Sequence, residues 1–168
     1  DLLVQTSSLA KRLDLPGVVN IDVRDGAKYE QGHIPNAVNV SLTETFDPES
    51  PLRWMVAPKE GLAALLDSLG VMNQQHMGIN DGGGQRRDAR IFWTLEYYSH
   101  ERVSLLNGGY TKWIEEGREV GTGALLITDT GYTSTYTAMP DPTKLATKQQ
   151  VLESLTKLAT KHKVLESL

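Results

Sequence analysis

The sequence predicts an open α/β fold in which a parallel sheet is flanked by helices. Short β-branched runs alternate with segments of helical period through residues 1–122. The connections between them are short and contain Gly or Pro. Strands that alternate with helices across short turns are typical of parallel sheets. A chain of 168 residues is long enough to bury one core of this kind.

The first predicted elements are a short helix, a strand and a second short helix. Thr6 can cap the first helix, Leu9 lies on its apolar side, and Pro16 follows its end. The run 18–23 is short and rich in Val and Ile, which predicts a buried strand. The turn after this strand leads into a brief helix around residues 27–31.

A second strand and a longer helix are predicted next. Residues 37–40 form the second short β-branched run. Residues 41–57 are predicted to be irregular, because Pro48 and Pro51 interrupt any regular element. A helix is predicted over residues 58–69, where Leu recurs at helical spacing after an initial Pro and before a Gly.

The remaining predicted elements are two strands, each followed by a turn and a helix. Residues 76–80 are predicted as the third strand, which a glycine-rich loop connects to a helix over 88–98. Residues 102–106 are predicted as the fourth strand. A turn with two glycines then leads into the last helix of the domain, over residues 110–116.

The C-terminal third of the chain differs in composition. Residues 123–142 are rich in Gly, Thr, Ser and Pro and are predicted as a linker after the domain of residues 1–122. The tail, residues 143–168, is predicted to be helical and contains a 13-residue duplication. The block 143–155 recurs as 156–168 with two differences. Two copies are too few to indicate a solenoid.

Composition excludes several classes of function. A net charge of −4 and the lack of a basic stripe disfavour nucleic-acid binding. No apolar run approaches the roughly 18–20 residues of a membrane helix. The chain has no cysteine, which excludes disulfides, thiolate metal sites and thiolate nucleophiles. Its histidines lack metal-ligand spacing, so we expect neither a metal nor a cofactor. Because a signal-peptide pattern is also lacking, a cytoplasmic address is expected.

The loop of residues 81–86 is the strongest candidate site. A strand that enters a helix through a glycine-rich loop directs free amides and the positive end of the helix dipole at one point. The loop is an open site for a small oxyanion, or Asp81 itself accepts from those amides as a built-in anion. It lacks the Lys and Ser or Thr of a nucleotide loop. The anion loop is Asp81, Gly82, Gly83, Gly84, Gln85 and Arg86.

Two further polar groups have both functional and structural interpretations. Asp22, Arg24 and Asp25 follow a predicted buried strand, where open α/β proteins place binding groups. The same three side chains can instead form ion pairs that fix the turn. His33 is either a general base or a turn residue that hydrogen-bonds the neighbouring backbone. No Ser or Cys nucleophile stands beside it in the sequence.

Three stretches resemble the signatures of the rhodanese, or thiosulfate sulfurtransferase, family. They occur in the family's order over residues 2–122, which makes the resemblance stronger than any single motif would. The family implies the open α/β fold already predicted. The stretches are Ile21-Asp22-Val23-Arg24-Asp25, Gly32-His33-Ile34-Pro35-Asn36-Ala37 and Leu105-Leu106-Asn107-Gly108-Gly109-Tyr110.

The resemblance implies a role for the loop. In active rhodanese domains the strand-to-helix loop carries a cysteine that accepts a sulfane sulfur as a persulfide. Asp81 stands at the corresponding position here. Tandem sulfurtransferases have two such domains, and the N-terminal one typically carries Asp in place of Cys. The chain therefore resembles the non-catalytic half of a thiosulfate or 3-mercaptopyruvate sulfurtransferase.

Three hypotheses follow from these observations. The first is the non-catalytic half, with a catalytic rhodanese domain as its partner. The second is a stand-alone module that binds a small oxyanion at the anion loop. The third is an interaction domain that self-associates through residues 143–168, whose leucines a small appendage cannot bury alone. The basic side chains expected to contact an anion or an interface are Arg24, Arg86, Arg87 and Arg90.

Overall fold

The structure, a computed structural model, describes residues 2–84, 86–124 and 135–166, with side chains as far as residue 158. Five strands and six α-helices are found in these ranges. The strands are β1 (Leu3–Val4), β2 (Val18–Asp22), β3 (Ala37–Asn39), β4 (His76–Asn80) and β5 (Val103–Leu106). The helices are α1 (Thr6–Ala10), α2 (Gly26–Gln31), α3 (Lys59–Ser68), α4 (Arg87–Tyr97), α5 (Gly109–Glu115) and α6 (Lys148–Glu166).

The five strands form one parallel sheet in the order β1-β5-β4-β2-β3. In the register, Ile21 of β2 pairs with Val38 of β3 and with Ile79 of β4. The predicted fold class, an open parallel sheet flanked by helices, is confirmed. The edge strand β1 was not predicted from the sequence, because two residues are too few to show a period.

The sheet separates two apolar clusters. Val18 and Val19 are neighbours in β2 but pack into different clusters, because successive strand residues point to opposite faces. One cluster joins the sheet to α3 and α4, and the other joins it to α1, α2 and α5. All strands run in the same direction, so the loops after β2, β4 and β5 meet at one edge of the sheet.

Part of the segment predicted as a linker packs against the domain. Tyr136 is 2% exposed, and its hydroxyl lies 3.1 Å from Nδ1 of the buried His100. The backbone N–H of Asp141 donates to the carbonyl of Tyr97 at 2.7 Å. The N–H of Tyr136 also donates to Oδ1 of Asp67 in α3, so these contacts attach residues 136–141 to α3 and to the end of α4. The earlier part of that segment, residues 125–134, lies outside the described residues.

One helix, α6, runs through both copies of the 13-residue block. Its apolar side chains Val151, Leu152, Leu155 and Leu158 are all exposed. Self-association through the tail therefore stays a prediction. Within the described ranges, none of the helices combines the length and the apolar character needed to cross a membrane.

Candidate functional site

The loop that connects β4 to α4 folds back on the side chain of Asp81. Asp81 is 4% exposed, and its Oδ1 accepts a hydrogen bond from the N–H of Gly83 at 2.5 Å. Gly83 has φ = 100°, in the left-handed region that favours glycine. The carboxylate of Asp81 thus takes one of the amides that the loop offers. Gln85 lies outside the described residues.

The turn between β5 and α5 fixes this loop from behind. The N–H of Tyr110 donates to the carbonyl oxygen of Asp81 at 2.8 Å, and the hydroxyl of Thr111 donates to the carbonyl oxygen of Gly82. Gly109 has φ = 58°, and a Cβ there would lie 2.6 Å from the Asp81 carbonyl oxygen. Only glycine allows the two loops to approach this closely. The turn with two glycines therefore sets the shape of the site.

Arg24 forms the floor of the site together with Asp22. Its Nη2 lies 2.5 Å from Oδ2 of Asp22 and donates to the carbonyl of Gly32 at 2.7 Å. Its guanidinium carbon lies 3.7 Å from the centre of the Tyr110 ring, a cation–π contact. Arg24 is 8% exposed and Asp22 is fully buried. This is the ion pair that the sequence offered as one of two interpretations of the cluster.

The other carboxylate of that cluster faces outward. Oδ1 of Asp25 lies 3.0 Å from Nη1 of Arg87, at the first residue of α4. Both side chains are about half exposed, at 60% and 46% respectively. An exposed pair of this kind contributes little to stability. It does reduce the positive charge that Arg87 brings to the loop.

Asp88 is a buried carboxyl that the sequence interpretation missed. It is fully buried in the first turn of α4, and its Oδ1 accepts from the N–H of Ala89 at 2.7 Å. Among the described residues, its Oδ2 has no hydrogen-bond partner. Burial raises the pKa of the Asp88 carboxyl, and the nearby charge of Asp81 raises it further. The signal in the sequence was an acidic residue in the first turn of a helix after a glycine loop.

An open depression of about 410 Å³ lies at the mouth of the loop. The structure brings together there most of the predicted site residues, and it adds Lys28 of α2, which the sequence interpretation did not select. The described side chains and backbone that line it are those of Arg24, Lys28, Asp81, Gly82, Gly84, Arg86, Arg87, Tyr110 and Thr111.

Arg90 does not line this depression. Its Nη2 donates to the carbonyl of Trp54 at 2.6 Å, and its guanidinium lies over the ring of Trp93 at 4.7 Å. Burial lowers the pKa of Arg90, and its buried Nε has no partner in the part of the chain that the structure describes. Arg90 therefore holds the loop around Trp54 against α4.

His33 also lies outside the depression. Its Nδ1 is 2.9 Å from the carbonyl of Tyr29, and the two rings stack with centroids 4.1 Å apart. A Cβ on Gly121 would lie 2.7 Å from Nε2 of His33, so that side of the ring is closed. These contacts are those of a turn residue. Across the described residues, no three His, Asp or Glu side chains are grouped to hold a metal ion.

Comparison with known proteins identifies relatives of this chain. A family model described as "Rhodanese-like domain" matches residues 5–116. Thiosulfate sulfurtransferase from Cricetulus griseus is 31% identical over 130 residues, which are 76% of this chain and 42% of that protein. Thiosulfate sulfurtransferase from Azotobacter vinelandii is 31% identical over 117 residues, which are 70% of this chain and 43% of that protein.

A solved structure also matches the chain closely. SseA from Escherichia coli, described as a 3-mercaptopyruvate sulfotransferase, superposes with a TM-score of 0.83 at 27% identity. The match covers 91% of this chain and 61% of SseA. The chain thus spans less than half the length of the two curated relatives and less than two thirds of SseA.

Proposed function

The chain belongs to the rhodanese family, and from that premise we propose that it is the non-catalytic half of a two-domain thiosulfate or 3-mercaptopyruvate sulfurtransferase. A rhodanese-like sulfurtransferase domain is the part that the family match supports directly. The pairing with a catalytic domain is the proposal. The relatives it resembles are more than twice as long as the stretch they share with this chain.

One observation carries the proposal: Asp81 follows β4 in the strand-to-helix loop, where active rhodanese domains carry the sulfur-accepting cysteine, and this chain has no cysteine. Sulfur transfer through a persulfide requires a thiolate, which attacks the transferred sulfur and forms an S–S bond while sulfite leaves from thiosulfate or the enolate of pyruvate leaves from 3-mercaptopyruvate. A carboxylate cannot hold sulfur in this way. The loop has a defined geometry in this chain, since Gly83 and Tyr110 hold Asp81 by its carboxylate and its carbonyl. The fold is therefore kept and the nucleophile is missing.

The proposed role of this half is to support the domain that carries the cysteine. The edge of the sheet where Arg86 and Lys28 lie is the side we propose to face that domain. No ion pair to another described residue neutralises these two cations, so they are available to a partner.

The test compares this chain with the native polypeptide that contains it. The 168-residue chain should not transfer sulfur from thiosulfate or 3-mercaptopyruvate to cyanide. The native polypeptide, isolated with antibodies raised against the chain, should do so and should lose the activity on thiol alkylation. Turnover by the pure chain, or a native polypeptide without a cysteine-bearing second domain, would overturn the proposal.

A further inference from the structure

Residues 135–144, called the strap below, pass along the ends of α3 and α4 and precede α6 in the chain. The backbone of Thr137 shares two hydrogen bonds with the side-chain amide of Asn73, at 2.8 and 2.9 Å. The hydroxyl of Ser99 donates to the carbonyl of Met139 at 2.8 Å. Amides, hydroxyls and backbone groups keep their protonation state between pH 5 and 8. Hydrogen bonds of this kind hold the strap equally well throughout that range.

One contact of the strap involves a histidine. The ring of His100, which is 2% exposed, stacks on the ring of Tyr136 with centroids 5.9 Å apart. Nε2 of His100 lies 3.0 Å from the carbonyl oxygen of Gln75. Because a carbonyl can only accept, Nε2 carries the proton, and Nδ1 is left to accept from the Tyr136 hydroxyl at 3.1 Å. The neutral imidazole thus satisfies both of its neighbours.

A second proton on the ring would disturb the contact with the strap. It would convert Nδ1 of His100 from an acceptor into a donor, so the Tyr136 hydroxyl would have to turn and accept. In the part of the chain that the structure describes, Nδ1 is the one hydrogen-bond partner of this hydroxyl. Both side chains are 2% exposed, so water does not replace the lost acceptor or solvate the new charge. Protonation is therefore easier once the strap has moved away.

The groups beside His100 in the interior of the domain are basic. Burial lowers the pKa of His100 most, and the charges of His76 and Arg102 lower it further, whereas the hydrogen bond to the Gln75 carbonyl raises it by less. Nε2 of His76 lies 2.9 Å from Oγ of Ser104, and burial lowers the pKa of His76 as well. Acidification therefore adds charges that repel one another in this part of the domain.

The carboxylates near His100 lie on its solvent side. Glu96 forms an ion pair with Lys144 at 3.7 Å, and Asp141 accepts from the N–H of Thr143. In α3, Asp67 accepts from the N–H of Tyr136. Solvent screens the exposed or partly exposed groups around the open depression beside His100, so they compensate little of a charge on the buried ring. These groups are Glu96, Glu101, Asp141 and Lys144.

We infer that the contact between His100 and Tyr136 is an acid-sensitive latch, which holds the strap on the domain while His100 is neutral and releases it when His100 is protonated. Because α6 follows the strap in the chain, release also frees α6 from its attachment to the domain. The inference concerns the C-terminal part of the chain and does not depend on the proposed function.

The experiment measures amide hydrogen exchange of the full chain at pH 7.5 and pH 5.5 by NMR. Protection factors are compared, since they remove the intrinsic pH dependence of exchange. Those of the strap amides Tyr136, Thr137 and Asp141 should fall roughly fivefold to tenfold at the lower pH, because an imidazole freed from the domain has a pKa of about 6.5. Glu116 and Gly117, at the end of α5 on the other face of the sheet, should keep theirs.

Two histidine variants assign the effect. His100→Gln is neutral at both pH values, so its strap amides should show the same protection at pH 7.5 and pH 5.5. His76→Gln is the matched control, because His76 is a neighbouring histidine that bonds Ser104 instead of the strap. It should keep most of the loss of strap protection that the parent chain shows. Long-range proton–nitrogen NMR spectra of the parent chain at pH 7.5 should show His100 protonated at Nε2 alone.

Three results would overturn the inference. The first is equal protection of the strap in the parent chain at the two pH values. The second is a loss of protection that persists in His100→Gln or disappears in His76→Gln. The third is a His100 ring that carries its proton on Nδ1 at pH 7.5. If His100→Gln does not fold, the parent chain decides: its strap must lose protection over the same pH range in which the NMR signals of the His100 ring titrate. None of these results bears on sulfur transfer, so the proposed function is tested separately.

Discussion

The backbone N–H of Tyr110 donates a hydrogen bond to the carbonyl oxygen of Asp81, with 2.8 Å between nitrogen and oxygen. This bond joins the turn after β5 to the loop after β4, two stretches 29 residues apart in sequence. The same Tyr110 places its ring against the guanidinium of Arg24 at the end of β2. The carboxyl ends of three neighbouring strands are thus connected through one residue.

Gly109→Ala should destabilise the fold, because residue 109 lies between the two loops. Its φ of 58° disfavours a side chain, and the new Cβ would lie 2.6 Å from the Asp81 carbonyl oxygen. We expect a loss of about 2–4 kcal/mol in the free energy of unfolding, measured by urea denaturation. Gly61→Ala is the control, since residue 61 lies in α3 with open space around it. It should gain about 0.5–1 kcal/mol. Similar values for the two variants would contradict the close approach.

Arg24→Lys should destabilise the fold, although the substitution keeps the positive charge. A lysine keeps the charge but loses the two-point contact with Asp22 and the flat contact with Tyr110. We expect a loss of about 1–3 kcal/mol in unfolding free energy. Arg87→Lys, in the exposed pair with Asp25, should change stability by no more than about 0.5 kcal/mol. Equal losses would show that the buried pair contributes no more than the exposed one.

Asp88 should make stability depend on pH in a direction opposite to that of an ordinary carboxyl. Its folded-state pKa is raised, first by burial and then by Asp81. The stability associated with its protonated form is complete below the unfolded-state pKa of about 3.9 and is lost as pH rises through the folded-state value. We therefore expect the free energy of unfolding of Asp88→Asn, relative to that of the parent chain, to be higher at pH 7 than at pH 4. Urea denaturation of both chains at the two pH values measures this difference.

Asp141 provides a control of opposite sign for Asp88. The hydroxyl and N–H of Thr143 both donate to its carboxylate and lower its pKa. Its contribution is present above the unfolded-state pKa and is lost as pH falls. The free energy of unfolding of Asp141→Asn, relative to that of the parent chain, should thus be lower at pH 7 than at pH 4. The same slope for both variants would contradict the assignment for Asp88.

The sequence contained most of the information needed to predict the sheet and the loop. It contained little about which side chains of other elements lie beside the loop. The strands β2 and β3 were predictable because their short β-branched runs lie beside Gly or Pro turns, whereas β4 and β5, with one β-branched residue each, were predictable as short, largely apolar runs between helical segments. The glycine loop and its arginines were predictable from local chemistry. Lys28 and Asp88 were not selected, because their distance from Asp81 depends on how α2 and α4 pack. Arg90 was grouped with the loop arginines by proximity in sequence, whereas its side chain extends toward Trp54.

Truncation separates the packed and unpacked parts of the C-terminal region. A chain that ends after Lys144 loses α6, whose described apolar side chains are exposed, and should keep its stability within about 1 kcal/mol. A chain that ends after Gly123 also loses the buried Tyr136 and should lose at least about 3 kcal/mol. Tyr136→Ala should reproduce much of this loss, and the exposed Met139→Ala should not. An unchanged unfolding midpoint in the chain that ends after Gly123 would contradict the packing of residues 135–141.

Asp81→Cys tests whether the loop still suits a sulfur nucleophile. A thiolate at residue 81 would replace the carboxylate that now accepts from Gly83, and loop amides of this kind lower thiol pKa values. Incubation with thiosulfate should add one sulfur atom, with release of sulfite, and cyanide should remove it again; mass spectrometry measures both steps. The ionised form of Asp88 would oppose a thiolate at residue 81 by its charge, so Asp81→Cys combined with Asp88→Asn should react faster at a pH where Asp88 is ionised. Asp25→Cys, at an exposed site outside the loop, should gain no sulfur. Equal labelling at residues 25 and 81 would show that the loop gives a thiol no special reactivity.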